Sequence, residues 1–343
     1  MATDPTAAEA AARYARFFDL VWGLMGTRCL HVAAELGIAD RLVDGPRPVA
    51  EVADEVGADR DALVRIIRAL VAMDVFTAPG PGVVGLGPLG ELLVSGRPGS
   101  MRDMALFWGG EVYDAWGDML HAARTGSPAF DHVFGQPHFD WLSHHPEQAR
   151  VFDGAMAGGA AARLPPLLAR DWSPVGTVVD VGGGNGSILR ALLTANSHLR
   201  GTLFDLPHVV EAAGSAIDAQ GLSDRCGTVA GSFFEHVPGG GDVYLLAQIL
   251  HDWDDDDALR ILSSVRAAIP PTGLLLVVEL IVPDDDRPHP SKLLDLQMLV
   301  LLGGRERTLE QWRQLLRASG FALGDISEGA RSCVLEARPV TSS

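Results

Sequence analysis

The chain has 343 residues, 47% of them hydrophobic and 21% charged, which is enough apolar material for a full globular core in two domains or in one large domain with an appendage. Its formal net charge of −17 argues against nucleic acid as a partner, because an acidic surface repels phosphate backbones. No apolar run is long enough to span a membrane, and the opening Met-Ala-Thr-Asp-Pro-Thr lacks the basic and apolar regions of a signal peptide.

The first hundred residues read as short helices. Cys29 to Leu36 has helical apolar spacing and stops at Gly37. Val49 to Val56 forms a second helix ended by Gly57, and Asp59 or Asp61 caps a third over Ala62 to Val71. A Gly/Pro-rich hairpin signal runs from Pro79 to Pro88, so residues 1–100 read as a winged-helix-like domain. The segment 101–172 reads as a helical connector rich in aromatics, interrupted near its end by Pro165 and Pro166. The three cysteines, Cys29, Cys226 and Cys333, are scattered and lack C-x-x-C spacing, which reads as free thiols in a reducing cytoplasm.

From residue 173 onward strands and helices alternate. The predicted strands are Thr177–Val181, Gly201–Phe204, Asp242–Leu246, Leu274–Glu279 and Cys333–Ala337; predicted helices lie near Ser187–Thr194, Ala258–Ala268 and Leu309–Ser319. This order predicts an α/β, Rossmann-like, doubly wound sheet over 173–343, with its ligand at the carboxyl ends of the strands.

Thr177-Val-Val-Asp-Val-Gly-Gly-Gly-Asn-Gly186 is a strand that breaks into bare loop before a helix. Such a loop lets a ligand lie on backbone N–H groups at a helix N-terminus. The pattern Gly182-x-Gly184-x-Gly186 is more compressed than a dinucleotide fingerprint. Asp205 follows roughly twenty residues later at a strand end, where an acid can hold ribose hydroxyls. Gly231-Ser-Phe-Phe234 offers a polar contact and an aromatic face for a purine. Together these fit an adenosine ligand without a diphosphate, namely S-adenosylmethionine.

His251-Asp252-Trp253 falls just beyond a buried strand, at the rim of that crevice. Glu279 sits in an apolar strand, where a carboxylate is costly unless paired or at the strand end. Glu306 lies in the polar knot Gly303-Gly-Arg-Glu-Arg-Thr308, where Arg305 and Arg307 also offer an ordinary surface ion pair. The run Asp254–Asp257 reads as acids at a helix start rather than as metal ligands, and no metal is expected.

On these residues the chain resembles the S-adenosylmethionine-dependent small-molecule O-methyltransferases of the plant caffeate and bacterial polyketide type. The matching stretches are Val179–Gly186, Phe204-Asp-Leu-Pro207, Gly231–Phe234, His251-Asp-Trp-Asp254 and Gly303–Thr308. The resemblance covers nearly the whole chain. It implies that His251 is the general base, oriented by Glu279 and Glu306. It implies that Gly182, Gly184, Asp205, Leu206, Ser232, Phe233 and Gln248 hold S-adenosylmethionine, with S-adenosylhomocysteine as product. It further implies that Trp108, Phe152, Met156, Asp252 and Met298 meet an aromatic acceptor, and that the front domain forms a homodimer and closes part of the partner's pocket. Ser232 stands where relatives often carry an acid, and Ala247 where many carry lysine or serine.

The expected reaction is methyl transfer to a hydroxyl, expected to be phenolic, of an aromatic small molecule such as a polyketide or other secondary metabolite. Two other functions are compatible with the same pattern. One is a family member that binds the cofactor but catalyses hydroxylation or a pericyclic step. The other is a winged-helix regulator that senses it, against which stands the mixed charge of Asp59, Arg60, Asp61, Arg65 and Arg68 on the candidate recognition helix.

Overall fold

A computed structural model describes residues 7–160, 163–329 and 332–340. Contacts divide the chain into two compact units, one of residues 1–113 with 150–158 and one of residues 114–149 with 159–343. The connector 101–172 is therefore shared between them, the chain passing from one to the other within α5 (Glu111–Gly117) and α9 (Pro146–Ala160).

The first unit begins with α1 (Ala7–Glu35), a 29-residue helix. The sequence reading placed only its last turns, from Cys29. Upstream, apolar residues occur on several faces, so no amphipathic period marks them, although the alanines from Ala7 to Ala15 favour a helix at its start. Strand β1 (Arg47–Pro48) leads into α2 (Val49–Val56), and Asp59 caps α3 (Arg60–Val71) by accepting the Ala62 N–H at 2.8 Å. β2 (Phe76–Gly80) and β3 (Val83–Leu86) form the expected antiparallel hairpin, with β1 added on β3. Leu42, Val52, Leu63, Leu70, Phe76 and Val84 make the core of this unit, and α4 (Arg102–Gly109) packs along α1.

The second unit carries short helices α6 (Met119–Thr125), α7 (Ala129–Phe134), α8 (His138–His144) and α10 (Leu164–Leu168), then the sheet. Its strands are β4 (Thr177–Val181), β5 (Arg200–Asp205), β6 (Cys226–Ala230), β7 (Val243–Ala247), β8 (Leu274–Glu279), β11 (Phe321–Glu328) and β12 (Cys333–Pro339), in the order β11-β12-β8-β7-β4-β5-β6. β6, β5, β4, β7 and β8 run parallel, and β12 and β11 close the far edge antiparallel. A small parallel pair, β9 (Ile281–Val282) with β10 (Arg307–Thr308), lies outside that sheet.

The central strands β4, β7 and β8 are buried on both faces, and period-two alternation sends successive side chains to opposite cores. Val178, Leu245, Leu274, Leu276 and Val278 pack with α11 (Ser187–Ala195) and α12 (Pro207–Ala219). Val179, Tyr244, Leu246, Leu275 and Val277 pack with α13 (Asp255–Ala268) and α15 (Leu309–Ala318). The remaining helix is α14 (Ser291–Leu301). The doubly wound expectation holds. The sequence reading missed β6, whose residues after Cys226 are exposed and carry no apolar alternation, as well as β11, α12 and α14.

From β4 the chain winds outward to β6, then returns to β7 on the other side of β4. The crevice at the carboxyl ends of β4 and β7 is thus the topological switch point, where open α/β sheets bind ligands.

Candidate active site

Four strand ends build the crevice. After β4, Gly182 takes φ +70°, and a Cβ there would stand 2.6 Å from the Ile249 side chain. Asp205 ends β5 and reaches back: its Oδ2 accepts the Gly184 N–H at 2.8 Å and its Oδ1 accepts the Leu206 N–H at 2.7 Å. The Gly231 N–H donates to the Asp205 carbonyl at 3.0 Å and so ties the end of β6 to the same acid. Phe233 lies beside the glycine loop, its ring 3.5 Å from a Cβ placed on Gly182. The Ser232 hydroxyl accepts the Phe234 N–H at 3.3 Å within its own turn. Leu206 is exposed. Beyond β7, Gln248 has φ +55°, donates its N–H to the Val278 carbonyl at 3.0 Å, and accepts a hydrogen bond from the Arg163 guanidinium.

One acid here escaped the sequence reading as a site residue. Asp180 is buried near the end of β4, and among the described residues its Oδ2 has no hydrogen-bond partner. Burial, reinforced by the Asp205 charge, pushes its carboxyl up to about 7. The signal was present, since Asp180 is a carboxylate in an apolar strand, as Glu279 is. The arrangement fits S-adenosylmethionine. A glycine loop without side chains faces the switch point, Asp205 keeps lone pairs for a diol, and an aromatic ring flanks the loop.

The second cluster stands around His251, on a single 3₁₀ turn (Leu250–Asp252) after β7. Glu279, the last residue of β8, is fully buried because it caps that turn: its Oε1 accepts the Ile249 and Leu250 N–H groups, each at 3.0 Å. Its Oε2 lies 3.7 Å from His251 Nδ1. His251 Nδ1 donates to Glu306 Oε1 at 2.9 Å, and Nε2 stands 3.3 Å from Asp252 Oδ1. Burial pulls the imidazole down, but Glu279, Asp252 and Glu306 together outweigh it and push it up to about 10. Burial and neighbouring carboxylates raise Glu279, and burial raises Asp252 to about 6. Among the described residues, the second oxygens of Glu279 and Glu306 are buried without hydrogen-bond partners.

The polar knot that carries Glu306 grips the histidine turn. The Arg305 N–H donates to the His251 carbonyl at 2.8 Å, and a Cβ on Gly304 would stand 2.1 Å from that same oxygen, so only glycine fits. Arg307 is completely buried and donates to the Leu250 carbonyl at 2.7 Å and the Trp253 carbonyl at 3.0 Å. Glu306 pairs with neither neighbouring arginine; both reach Asp255 instead, at 3.6 Å from Arg305 and 2.8 Å from Arg307. Asp254 caps α13 by accepting the Asp257 N–H at 2.9 Å, so the acidic run serves the helix start.

The acceptor candidates divide. Asp252 touches His251, and Met298 is buried on α14 beside Gln297, which accepts from the Trp116 indole. Trp108, Phe152 and Met156 lie in the first unit, where Phe107 packs edge-on against Trp108 at 6.4 Å and against Phe152 at 5.5 Å. Within the second unit aromatic rings surround Trp253: Phe139, which carries no site assignment from sequence, stacks on it at 6.0 Å, and Phe233, expected at the cofactor, and Phe234 meet it edge-on at 6.0 and 4.7 Å. Among the described residues, two sets of three side chains bring metal-ligand atoms within 4.8 Å of one another: His251–Glu279–Glu306 and Asp118–His121–His132. No described helix is long and apolar enough to cross a membrane.

Comparison with known proteins gives two family matches, an O-methyltransferase domain over residues 116–322 and an O-methyltransferase dimerisation domain over residues 18–96. The chain is 46% identical to phenazine O-methyltransferase PhzM of Lysobacter antibioticus over 324 residues, 94% of this chain and 95% of that one. The crystal structure of LaPhzM superposes with a TM-score of 0.93 at 45% identity, covering 95% of this chain and 99% of that one. The O-methyltransferase NcsB1 from neocarzinostatin biosynthesis, in complex with S-adenosylmethionine and 2-hydroxy-5-methyl naphthoic acid, superposes with a TM-score of 0.80 at 34% identity, covering 92% and 96%.

Proposed function

Since this chain belongs to the S-adenosylmethionine-dependent O-methyltransferases, we propose that it methylates a phenolic hydroxyl on a flat aromatic secondary metabolite, with His251 as general base. The observation that carries this reading is the imidazole at the switch point, its Nδ1 bound to Glu306 and its Nε2 side turned to the adjoining acid. Aromatic rings around Trp253 supply faces for a planar acceptor, and relatives of the chain act on phenazine and naphthoate rings.

When bound, S-adenosylmethionine supplies an electrophilic methyl carbon on a sulfonium and departs as S-adenosylhomocysteine. Gly182, Gly184, Asp205, Leu206, Ser232, Phe233 and Gln248 are the residues assigned to hold it. A phenol, with a pKa near 10, is neutral at pH 7, so its proton must leave as the O–C bond forms. His251 Nε2 takes that proton. Glu306 fixes the tautomer through Nδ1 and stabilises the imidazolium, while Glu279 holds the turn in place. Within the second unit, Asp252 is assigned to the acceptor hydroxyl and Met298 to its ring.

The pH dependence tests this assignment. In the free protein three carboxylates hold the imidazole protonated well above its ordinary range, and only the deprotonated Nε2 can act. Therefore kcat/KM rises with pH, and the midpoint of its acid limb lies alkaline of the ordinary imidazole value of about 6.5. Glu306→Gln removes one negative charge beside the ring, so the limb moves toward lower pH while kcat falls. A profile from about pH 6 to about pH 10 on both proteins decides it; a limb that stays put in the variant refutes the role of Glu306.

We also infer a homodimer through the first unit. Tyr14, Phe17, Leu20, Trp22, Leu24 and Met25 on α1 are all more than half exposed, an apolar surface larger than a monomer usually leaves in water. Light scattering on the full chain should give twice the chain mass, and Leu20→Glu with Leu24→Glu should give monomer. A wild-type monomer at assay concentration refutes the inference.

A further inference from the structure

The helix pair α6 and α7 carries ligand-type side chains that the proposed methyl transfer does not use. Asp118 immediately precedes α6, His121 lies in its first turn, and His132 projects from α7. His132 Nδ1 donates to Asp118 Oδ2 at 2.6 Å, and the His121 and His132 rings lie parallel, their centroids 4.1 Å apart and 9° from coplanar. One donor atom from each of the three sits within 4.8 Å of the others.

The backbone under this group is fixed. Thr125 Oγ1 donates to the His121 carbonyl at 2.9 Å and accepts the Ser127 N–H at 3.1 Å, while the Gly126 N–H closes on Ala122 at 2.8 Å. Ala129 and Phe130 anchor α7 in the core, and both helices pack on α14. The three polar side chains lie toward the surface, His132 exposed and the other two half-buried, so modest rotations bring their donors onto one centre. Two imidazoles and one carboxylate are the ligand types that zinc takes at about 2.0–2.2 Å, with a water completing a tetrahedron. The hydrogen bond from His132 to Asp118 already brings two of the three donors together, and a cation would take the place of its proton.

We propose that Asp118, His121 and His132 form a surface site for a divalent cation of the zinc class. It is separate from the His251 cluster, yet its turn meets the catalytic frame: Pro128 lies 3.3 Å from a Cβ placed on Gly303, at the start of the knot that carries Glu306. A cation here therefore clips a turn that backs the active-site loop.

The test is calorimetric titration of chelator-treated full-length protein with zinc chloride. Wild type should show one saturable site. His132→Ala and, separately, His121→Ala should weaken it roughly tenfold or more, while His251→Ala should retain it. His132 is exposed, so its variant keeps the fold, which circular dichroism checks. Absence of saturable binding overturns the site. So does binding that survives both surface variants, and binding that is lost in His251→Ala places the ion on the buried cluster instead.

Discussion

Replacing His251 by alanine should lower kcat for a phenolic acceptor by roughly 10²–10⁴-fold, the usual contribution of a positioned base, while S-adenosylmethionine binding measured by calorimetry stays intact. The separation follows from where the groups stand. The residues proposed for the cofactor centre on the glycine loop and Asp205, whereas the imidazole is held by Glu279 and Glu306. A loss of about 10³ corresponds to about 4 kcal/mol of barrier. Alanine leaves two buried glutamates facing a cavity, so His251→Asn, which keeps a polar side chain there, serves as the second variant. The assignment also predicts a pattern that simple loop damage does not produce. The deficit should shrink for an acidic phenol already ionised at the assay pH, because no proton then remains to be removed. Near-normal turnover by either variant, or an equal deficit for acidic and ordinary phenols, removes His251 from the role of base.

The cluster around His251 is legible in the sequence because its carboxylates are physically expensive. Glu279 inside Leu274–Leu280 demanded a partner, and the structure supplies two backbone N–H groups and an imidazole. The strands β4 and β8 were legible to the residue, since continuous apolar runs bounded by turns allow few alternatives. What stayed hidden depends on contacts far apart in the chain. β6 is an exposed edge strand whose only mark is its pairing with β5. Most of α1 lacks an amphipathic period, because two sides of it are apolar and much of that surface stays exposed. The aromatic group around Trp253 draws Phe139 from more than a hundred residues away, and nothing local marks that meeting. Arg307 was read only as a possible surface partner for Glu306, because a charged residue in a polar knot usually is solvated. Its complete burial comes from tertiary packing.

That burial makes Arg307 the residue whose loss should most disturb the site from outside it. Its guanidinium spans three points of the histidine turn and the following helix: the Leu250 carbonyl, the Trp253 carbonyl and Asp255 Oδ1, at 2.7, 3.0 and 2.8 Å. Its face lies 5.3 Å from the Trp312 ring centroid. The ion pair itself contributes little, since the Asp255 side chain is 56% exposed and water can replace the arginine there. The carbonyls are different. Arg307→Met fills the same space yet strands two backbone acceptors, at about 1–3 kcal/mol each. The 3₁₀ turn then has reason to rearrange, carrying His251 out of line with Glu306. Arg307→Met should therefore lower kcat at least tenfold, raise amide exchange across residues 249–257, and leave the glycine-loop cofactor contacts in place. Arg307→Lys keeps the charge but cannot reach both carbonyls with one planar fork, so it should recover only part of the rate. If the methionine variant shows wild-type kcat and unchanged exchange in that turn, the guanidinium does not position His251, and the grip on it comes from Arg305, Glu279 and Glu306.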